Sequence, residues 1–293
     1  MKLRRISAGE SVFRAVNDLL LLAVCIIALY PLLYVLNASF SNPLAVMKNE
    51  ITLWPKGFTV MGYQKAFSNP DVWTGYMNTI LYTVIGTFIN LALTSTSAFA
   101  LSRKDLKGRN FWVMFITFTM FFSGGMIPSY LLIKKLHLYN TFWVMIIPGA
   151  VSAWNLIIMR TFFQSNVPME LQEAAIIDGC NDIAIFFRIA LPLSAPIVAV
   201  MVLFYGVGHW NEFFNALIYL DDRKKYPLQL FLREILIQNI SQDNVSGPAA
   251  DQQIIGQSIR YSLIIVATVP VLMIYPFLQK YFVKGIMIGS LKG

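Results

Sequence analysis

Six long apolar runs, separated by polar segments, set the pattern of this chain. Each run holds roughly 20 mostly apolar residues, which is the length that an α-helix needs to cross the hydrocarbon core of a bilayer. The pattern therefore predicts an all-α polytopic membrane protein with six transmembrane helices. The predicted spans cover residues 19–38, 77–101, 111–133, 142–163, 193–220 and 261–282.

The composition agrees with this pattern and excludes several classes of protein. Of the 293 residues, 57% are hydrophobic and 13% are charged, whereas soluble domains carry about 25% charged residues. One water-soluble core cannot bury so much apolar surface, so a soluble enzyme, a disulfide-rich secreted domain and a disordered chain are excluded. The two cysteines, Cys25 and Cys180, lie in different environments and form neither a disulfide framework nor a metal-ligand set.

The basic residues lie at the ends of the apolar runs. The net charge is +8, but the cations form no extended patch, so nucleic acid is not an expected partner. An excess of Lys and Arg beside membrane spans marks the cytoplasmic side, which predicts that the short segment 102–110, the N-terminal segment and, with six helices, both termini are cytoplasmic. The cations concerned are Arg103, Lys104, Lys107 and Arg109 in the short segment and Lys2, Arg4, Arg5 and Arg14 near the N-terminus.

The predicted organisation is therefore one transmembrane domain with cytoplasmic ends. Residues 1–18 form the cytoplasmic N-terminal segment, residues 19–283 the six-helix domain and residues 284–293 a cytoplasmic tail. A cytoplasmic loop, residues 164–192, separates the fourth and fifth spans and has a pattern of its own.

This loop predicts a helix, a bend and a second helix rather than a plain linker. Residues 169–177 are good helix formers, and Pro168 suits the first turn, where its missing N–H costs nothing. Gly179 can adopt the left-handed conformation that stops the helix. The predicted features after the bend are Asn181 or Asp182 as a cap, residues 183–190 as the second helix and Pro192 as its end.

The first of these helices is short and carries apolar side chains beside two acids, which leaves two interpretations open. It could lie on its own bundle as an amphipathic segment, or it could dock into a groove on another protein. The residues concerned are Leu171, Ala174, Ala175 and Ile177, beside Glu173 and Asp178.

The same loop carries a motif with fixed spacing. The motif matches the EAA signature without a gap. It reads Glu173-Ala174-Ala175, then three residues, Gly179, nine residues, Ile189, one residue and Leu191-Pro192. On this motif the chain resembles the permeases of ABC importers, in particular the MalG-like carbohydrate type and its LplC/YtcP-like branch. Residues 122–128, 210–214 and 279–293 resemble the same family, so the resemblance covers nearly the whole chain.

The resemblance implies a type I ABC importer permease fold and a non-catalytic role. The EAA loop is expected to form a coupling helix in a cleft of a cytoplasmic ATPase subunit, which the tail is also expected to reach. ATP and magnesium would bind to that ATPase, and no cofactor is expected in this chain, whose sequence contains no Gly-Lys dipeptide and therefore no Walker A loop. The residues carried over to the coupling role are Glu173, Ala174, Ala175, Asp178, Gly179, Ile189, Leu191 and Pro192.

The resemblance also implies partners, a location and a substrate class. A homologous second permease would complete the pathway in the bacterial cytoplasmic membrane, with two copies of the ATPase and an extracellular solute-binding protein. Oligosaccharides would be imported by alternating access. The binding protein chiefly chooses the sugar, and this branch suggests plant or uronate-containing oligosaccharides.

Glu212 is the acid that lies well inside a predicted span, where a charge is expected to face a cavity or a partner. The amides and the indole beside it make this stretch a candidate for the translocation path; a helix-terminus anchor and a contact with the partner permease are the alternatives. Positions 209, 212 and 216 share one helical face and 210 and 214 another, so they cannot all line one pore. The candidates are Glu212, His209, Asn211, Asn215 and Trp210.

Three other functions compete with this interpretation. An ion-coupled secondary transporter would need acids or broken helices at the midplane, and Glu212 alone qualifies. A membrane-embedded hydrolase would need His209 as its base, and no nucleophile motif stands at a suitable spacing. An ABC importer permease for a non-sugar solute would share the family features.

Overall fold

The computed structural model describes residues 8–241 and 259–274, together with residues 256, 276, 277 and 279. The described part is mostly α-helical and contains no β-strand, so the all-α prediction is confirmed there. The predicted tail, residues 284–293, and the end of the sixth predicted span lie outside the described residues. The helices are α1 (Ala8–Ser39), α2 (Pro43–Met47), α3 (Met61–Phe67), α4 (Pro70–Ser102), α5 (Arg109–Phe121), α6 (Met126–Lys135), α7 (Ala153–Asn166), α8 (Met169–Ile177), α9 (Asp182–Ile185), α10 (Leu191–Leu193), α11 (Ala195–Trp210), α12 (Phe214–Tyr219), α13 (Leu228–Ser241) and α14 (Ile259–Ile274).

One compact unit is built from the described residues of 1–69 and 232–268. Its longest element, α1, continues through Pro31. The apolar stretch Val12–Ser39 has no buried residue in its most hydrophobic window, a surface that suits lipid. A small core of Ala38, Val46 and Ile51 forms at the end of α1, with Tyr261 packed against it.

The second compact unit is built from the described residues of 70–231 and 269–293. Its central element is α4, which packs along both α11 and α7. One core cluster lies around the C-terminal part of α4 and includes Phe99, Met159, Phe163, Ile185 and Met201. Another lies around the N-terminal half of α4 and includes Tyr82, Val144, Met145, Tyr219 and Leu230.

Residues 111–133, predicted as one transmembrane helix, do not form a continuous helix. The chain forms α5 and α6 there, bent by 114° at the break between them. Gly125 in this break has a φ of +84°, a left-handed conformation that side chains with a Cβ rarely adopt. The apolar composition concealed this interruption because the break itself contains no charge.

Two other predicted spans are also interrupted. In residues 142–163 the α-helix begins only at Ala153, after the 3₁₀ turn Phe142–Met145 and an irregular segment, 146–152. In residues 193–220, α11 ends at Trp210 and α12 begins at Phe214. Each break interrupts the regular backbone hydrogen bonds of a helix within an apolar run, so other groups must satisfy the backbone there.

Helix length and composition identify two described helices that could cross a membrane alone: the 28-residue stretch Val12–Ser39 and the 33-residue α4. The bent pair α5–α6 would add one crossing. The segment Asp182–Leu193 with α11, bent by 83°, would add another. The six-span topology with cytoplasmic termini therefore stays a prediction.

Candidate functional site

The loop between α7 and α11 folds as a helix, a bend and further helical turns, so the local prediction for this segment is confirmed. The first helix, α8, runs from Met169 to Ile177. Gly179 has a φ of +82°, and the Asn181 side chain accepts a 2.8 Å hydrogen bond from the Ala184 N–H at the start of α9. Asn181 is therefore the N-cap of α9, which agrees with the prediction that Asn181 or Asp182 caps this helix.

Two proline positions in this loop differ from the prediction. Pro168 precedes α8 as its N-cap instead of lying in its first turn. Pro192 does not end the second helical segment, because a π-helical turn, Phe186–Ala190, runs directly into α10. The chain turns instead at Ser194, where the segment ending in α10 meets α11 at 83°.

The two faces of α8 have different surroundings. Gln172 and Ala175 are 5% and 6% exposed, and the Gln172 amide donates a 3.3 Å hydrogen bond to the Val167 carbonyl. Glu173, Ala174 and Ile177 are exposed on the other side. One face of α8 therefore packs against the helices of this chain, and the other face is not covered by the described residues. Ala175 lies on the packed face, so it contributes to holding α8 in place.

The segment after the bend is anchored in the core of the second unit. Ile185 and Ala190 are fully buried, and the Phe186 ring lies 5.4 Å from the ring of Phe99 on α4. Ile189 and Leu191 are half-buried and pack against the same cluster, whereas Pro192 is exposed. The loop is thus continuous with the packing of α4, α7 and α11.

Arg103 connects the end of α4 to the loop between α7 and α11. The sequence predicts Arg103 only as a cytoplasmic cation and does not predict this structural role. Arg103, just after α4, donates hydrogen bonds of 2.9 and 2.7 Å to the Asp105 carboxylate and one of 2.7 Å to Asp182 at the start of α9. The side chain of Arg103 is only 11% exposed. Donation by Arg103 lowers the pKa of the Asp105 carboxyl, so this carboxyl is ionised at neutral pH. We call Arg103 with its two partners, Asp105 and Asp182, the Arg103 clamp.

An apolar surface surrounds the bend. Ile177 is 85% exposed, Ile183 69% and Phe187 59%. Asp178 and Gly179 lie exposed beside them. A group of large apolar side chains held outward by a rigid, buried base is characteristic of an interaction surface.

The predicted translocation-path residues separate into different environments. Glu212 lies in the break between α11 and α12, not inside a continuous helix, and its carboxylate accepts a 2.9 Å hydrogen bond from the Asn215 N–H. The carboxylate thereby caps the first turn of α12, which corresponds to the helix-terminus alternative. Asn211 is exposed, and its side-chain oxygen accepts a 3.4 Å hydrogen bond from Gln229.

His209 and Trp210 turn toward the bundle. Trp210 is 7% exposed and contacts the ring of Tyr76 edge to face, with the ring centres 5.8 Å apart. His209 Nε2 lies 2.6 Å from the Asn90 side-chain oxygen. These two residues therefore pack α11 against α4, while Asn211 and Glu212 lie nearer the surface.

A group of hydrogen-bonded polar side chains, which we call the polar seam, holds the irregular segment 146–152. It consists of Asn90, Thr94 and Tyr205, and the sequence does not predict it. Asn90 is fully buried and donates hydrogen bonds of 2.7 and 2.9 Å to the Gly149 and Ala150 carbonyls. The Tyr205 hydroxyl pairs with Thr94 at 2.7 Å and accepts a 3.2 Å hydrogen bond from the Ser152 N–H. The signal in the sequence was an amide in the middle of the apolar run 77–101, but its partners are distant in the chain.

Neither of these regions is built to hold a metal. Among the described residues, no group of three or more His, Cys, Asp or Glu side chains could ligate a metal ion. Both cysteines are free, Cys25 exposed and Cys180 half-buried.

The described fold is that of a helical membrane component with a folded loop between α7 and α11. Residues 72–288 match the family described as binding-protein-dependent transport system inner membrane component. The chain belongs to this family, whose members are non-catalytic permease subunits of ABC transporters. The resemblance predicted from the EAA motif is thereby confirmed.

Relatives match over nearly the whole chain. Protein LplC of Bacillus subtilis (strain 168) is 43% identical over 286 residues, 96% of this chain and 95% of that protein. The polygalacturonan/rhamnogalacturonan transport system permease protein YtcP of the same organism is 43% identical over 280 residues, 93% and 96% of the two chains. A chain in the crystal structure of a bacterial ABC transporter involved in the import of the acidic polysaccharide alginate has a TM-score of 0.87 and 32% identity, covering 96% of this chain and 100% of that one.

Proposed function

We propose that this chain imports oligosaccharides as one permease subunit of an ATP-driven transporter, and that its substrates contain uronate units. The family assignment supports the transporter class. The substrate class is supported by two similar proteins whose names refer to polygalacturonan/rhamnogalacturonan and to alginate. Ion-coupled transport and membrane-embedded hydrolysis receive no support from the family.

The proposed assembly places six spans of this chain in the bacterial cytoplasmic membrane, with both termini and the loop 164–192 inside. A homologous second permease completes the pathway, and two copies of a cytoplasmic ATPase hold ATP and magnesium. An extracellular solute-binding protein delivers the sugar. ATP-driven closure of the ATPase pair opens the cavity outward, and hydrolysis returns it to the inward-facing state.

The geometry around Gly179 is the observation that carries this proposal. Ile177, Ile183 and Glu173 are exposed, whereas Ala175, Ile185 and Phe186 beneath them are buried in the core shared with α4, α7 and α11. A closely packed core transmits displacement with little compression. A partner that binds the exposed side would therefore move α11 and α4 with the loop.

The proposed place of sugar contact is the break between α11 and α12. Of the five candidates, Asn211 and Glu212 lie in the break between α11 and α12, and Asn215 lies in the first turn of α12. Asn211 is exposed, and the other two are half-buried. A broken helix is a common place for a transport site because it presents polar backbone groups to a cavity. We assign sugar contact to this break before His209 and Trp210, which are engaged in packing.

Charge reversal at Glu173 tests the coupling role in the complete transporter reconstituted in liposomes. Glu173→Lys is expected to abolish sugar-stimulated ATP hydrolysis and uptake, because a carboxylate offered to a basic partner becomes a repelling cation. Asp18→Lys, a charge reversal at an exposed position outside the loop, is the matched control. Normal stimulated hydrolysis and uptake in Glu173→Lys would contradict the proposal, provided that the ATPase copurifies with the variant.

A further inference from the structure

A cavity of about 680 Å³ lies where the end of α4 meets the segment that begins with α9, and the three residues of the Arg103 clamp are among those that line it. Ligand sites in proteins commonly have volumes of about 300–1,000 Å³. The lining residues all belong to the second compact unit. The rings of Phe99 and Phe186 are 5.4 Å apart, and Arg103 donates to Asp182 at 2.7 Å. Packed rings and an ion pair therefore fix the shape of the cavity.

Most of the cavity lining is apolar. Phe99 and Phe186 are buried, whereas Ala100, Ile183 and Phe187 are exposed. Because Ile183 is 69% and Phe187 59% exposed, the opening of the cavity lies at an apolar surface. In a membrane protein such a surface is favourable in lipid and unfavourable in water. An acyl chain is therefore the kind of group that this part of the cavity fits.

Charged side chains line the rest of the cavity, and their charges balance. Arg103 and Lys107 are the cations, and Asp105 and Asp182 are the acids. Arg103 is engaged by both carboxylates, whereas Lys107 is exposed and forms no ion pair with any described residue. Asp182 accepts from Arg103 through Oδ1, and its side chain is 73% exposed, so its carboxylate can accept further hydrogen bonds. The groups left to bind a ligand are therefore one ammonium and one carboxylate, which suit a ligand that carries both charges.

The length of α4 places this cavity at the level of lipid headgroups. Its 33 residues extend about 50 Å at about 1.5 Å per residue, whereas a bilayer with its headgroup layers is about 40–45 Å thick. When α4 is centred in the bilayer, its last two turns lie in a headgroup layer. Along the chain the apolar lining residues Phe99 and Ala100 come first and Lys107 follows the end of α4. This is the order in which the acyl chains and the headgroup of a lipid follow one another.

We propose that this cavity binds a zwitterionic phospholipid of the phosphatidylethanolamine type, with its phosphate at Lys107, its ammonium at Asp182 and an acyl chain between α4 and Phe187. An anionic headgroup fits less well, because the two carboxylates of the Arg103 clamp would lie beside it with no ammonium to compensate them. A choline headgroup fits less well because its quaternary nitrogen has no N–H to donate to a carboxylate. Glu173 and Ile177 do not line the cavity, so the inference does not depend on the coupling role.

Native mass spectrometry of the full-length protein in detergent tests the headgroup part of the site by titration with phosphatidylethanolamine, phosphatidylcholine and phosphatidylglycerol that carry the same acyl chains. Wild-type protein is expected to bind phosphatidylethanolamine most tightly. Lys107→Gln is expected to weaken this binding by about fivefold, the upper value for one exposed ion pair. Lys104→Gln is the matched control, because it removes a neighbouring exposed charge that does not line the cavity. A change of less than twofold is expected there.

Ala100→Phe tests the acyl-chain part of the site, because the larger side chain occupies the cavity from α4. Binding of phosphatidylethanolamine is expected to weaken by roughly fourfold for each methylene group that is displaced. Ala92→Phe is the matched control, because Ala92 is exposed on the same helix and does not line the cavity. Asp182→Asn removes the charge that pairs with the ammonium, so it is expected to abolish the preference for phosphatidylethanolamine over phosphatidylcholine.

Several outcomes would overturn the proposal. One is binding of phosphatidylcholine or phosphatidylglycerol as tight as that of phosphatidylethanolamine, and another is unchanged phosphatidylethanolamine binding in both Lys107→Gln and Ala100→Phe. Displacement of the lipid by an equal concentration of O-phosphoethanolamine would show a site for the free headgroup alone. Loss of ATPase copurification in Ala100→Phe, with lipid binding intact, would assign the cavity to a protein interface. None of these measurements involves Glu173, so failure here is distinguishable from failure of the proposed function.

Discussion

His209 on α11 and Asn90 on α4 are joined by a 2.6 Å hydrogen bond between Nε2 and the amide oxygen. The same amide group donates from its nitrogen to the carbonyls of Gly149 and Ala150. One fully buried side chain thus connects two packed helices to an irregular segment of backbone. Gly149 is exposed and Ala150 half-buried, whereas the Asn90 side chain that holds both carbonyls is fully buried.

Replacement of Asn90 by leucine is expected to destabilise the protein by roughly 1–3 kcal/mol, because two carbonyls and a histidine nitrogen lose their partner. Thermal unfolding of the purified protein in detergent measures the change. Asn110→Leu, at an exposed position early in α5, is the matched control and is expected to have little effect. Equal melting temperatures for Asn90→Leu and wild type would show that the seam does not hold segment 146–152.

Gly86 lets α4 approach α11 at the same point. A Cβ at position 86 would collide with the His209 ring, whereas a Cβ at Gly208 would meet nothing within 4 Å. Gly86→Ala is therefore expected to cost about 1–3 kcal/mol through overpacking. Gly208→Ala is expected to be neutral or to stabilise the helix by up to about 1 kcal/mol.

Thermal unfolding compares the two alanine variants, and a double variant assigns the cause. Adding His209→Ala to Gly86→Ala removes the imidazole ring with which the new Cβ collides. The loss of stability in the double variant is therefore expected to be smaller than the sum of the losses in the two single variants. Strict additivity, or similar losses in Gly86→Ala and Gly208→Ala, would contradict the steric explanation.

The sequence predicted local structure better than it predicted the continuity of helices. The bounds of α8, Met169–Ile177, and the left-handed Gly179 follow from short-range rules of helix formation and termination, and the structure agrees with both. The sequence does not predict the breaks after Phe121 and Trp210, because the mean hydropathy of an apolar run stays high across them. Neither the glycine turn after Phe121 nor the capped start of α12 after Trp210 adds enough polar residues to lower it. Asn90 was visible as an amide in an apolar run, but its partners come from positions 149, 150 and 209, which no local pattern connects.

The Arg103 clamp is expected to control how firmly the start of α9 is held. Arg103→Gln removes the ionic hydrogen bonds to Asp105 and Asp182, so amides in residues 183–187 are expected to exchange hydrogen faster. Hydrogen–deuterium exchange measures this directly. Lys104→Gln, which removes an exposed neighbouring charge, is expected to leave the exchange unchanged; equal rates in all three proteins would exclude the clamp.

The same clamp has a predictable pH dependence. Donation by Arg103 lowers the folded-state pKa of Asp105, so its stabilisation is present above the ordinary carboxyl pKa of about 3.9. It is lost as the pH falls through the lower folded value, when the carboxyl becomes protonated. Protection of residues 183–187 is therefore expected to stay constant near neutrality and to decrease only in strong acid. A decrease centred between pH 6 and 8 would point to another group.

Gly179 is expected to be required for its backbone conformation and not for its small size. Its φ is +82°, and a Cβ there would meet nothing within 4 Å. Gly179→Val is therefore expected to add about 1–3 kcal/mol of backbone strain, shifting the position of α8 and reducing sugar-stimulated ATP hydrolysis in the reconstituted transporter. Gly179→Asn is the matched control, because asparagine tolerates left-handed backbone better than other side chains.

The order of the Gly179 variants distinguishes strain from contact with the ATPase. Strain predicts that asparagine retains more coupling than valine, since the two side chains are similar in size and differ in their tolerance of positive φ. A requirement for close approach by the ATPase predicts equal loss in both, because each adds bulk to the exposed bend. Stimulated ATP hydrolysis by the complete transporter, with the basal rate as reference, measures that order. Equal loss in Gly179→Asn and Gly179→Val would contradict the backbone explanation.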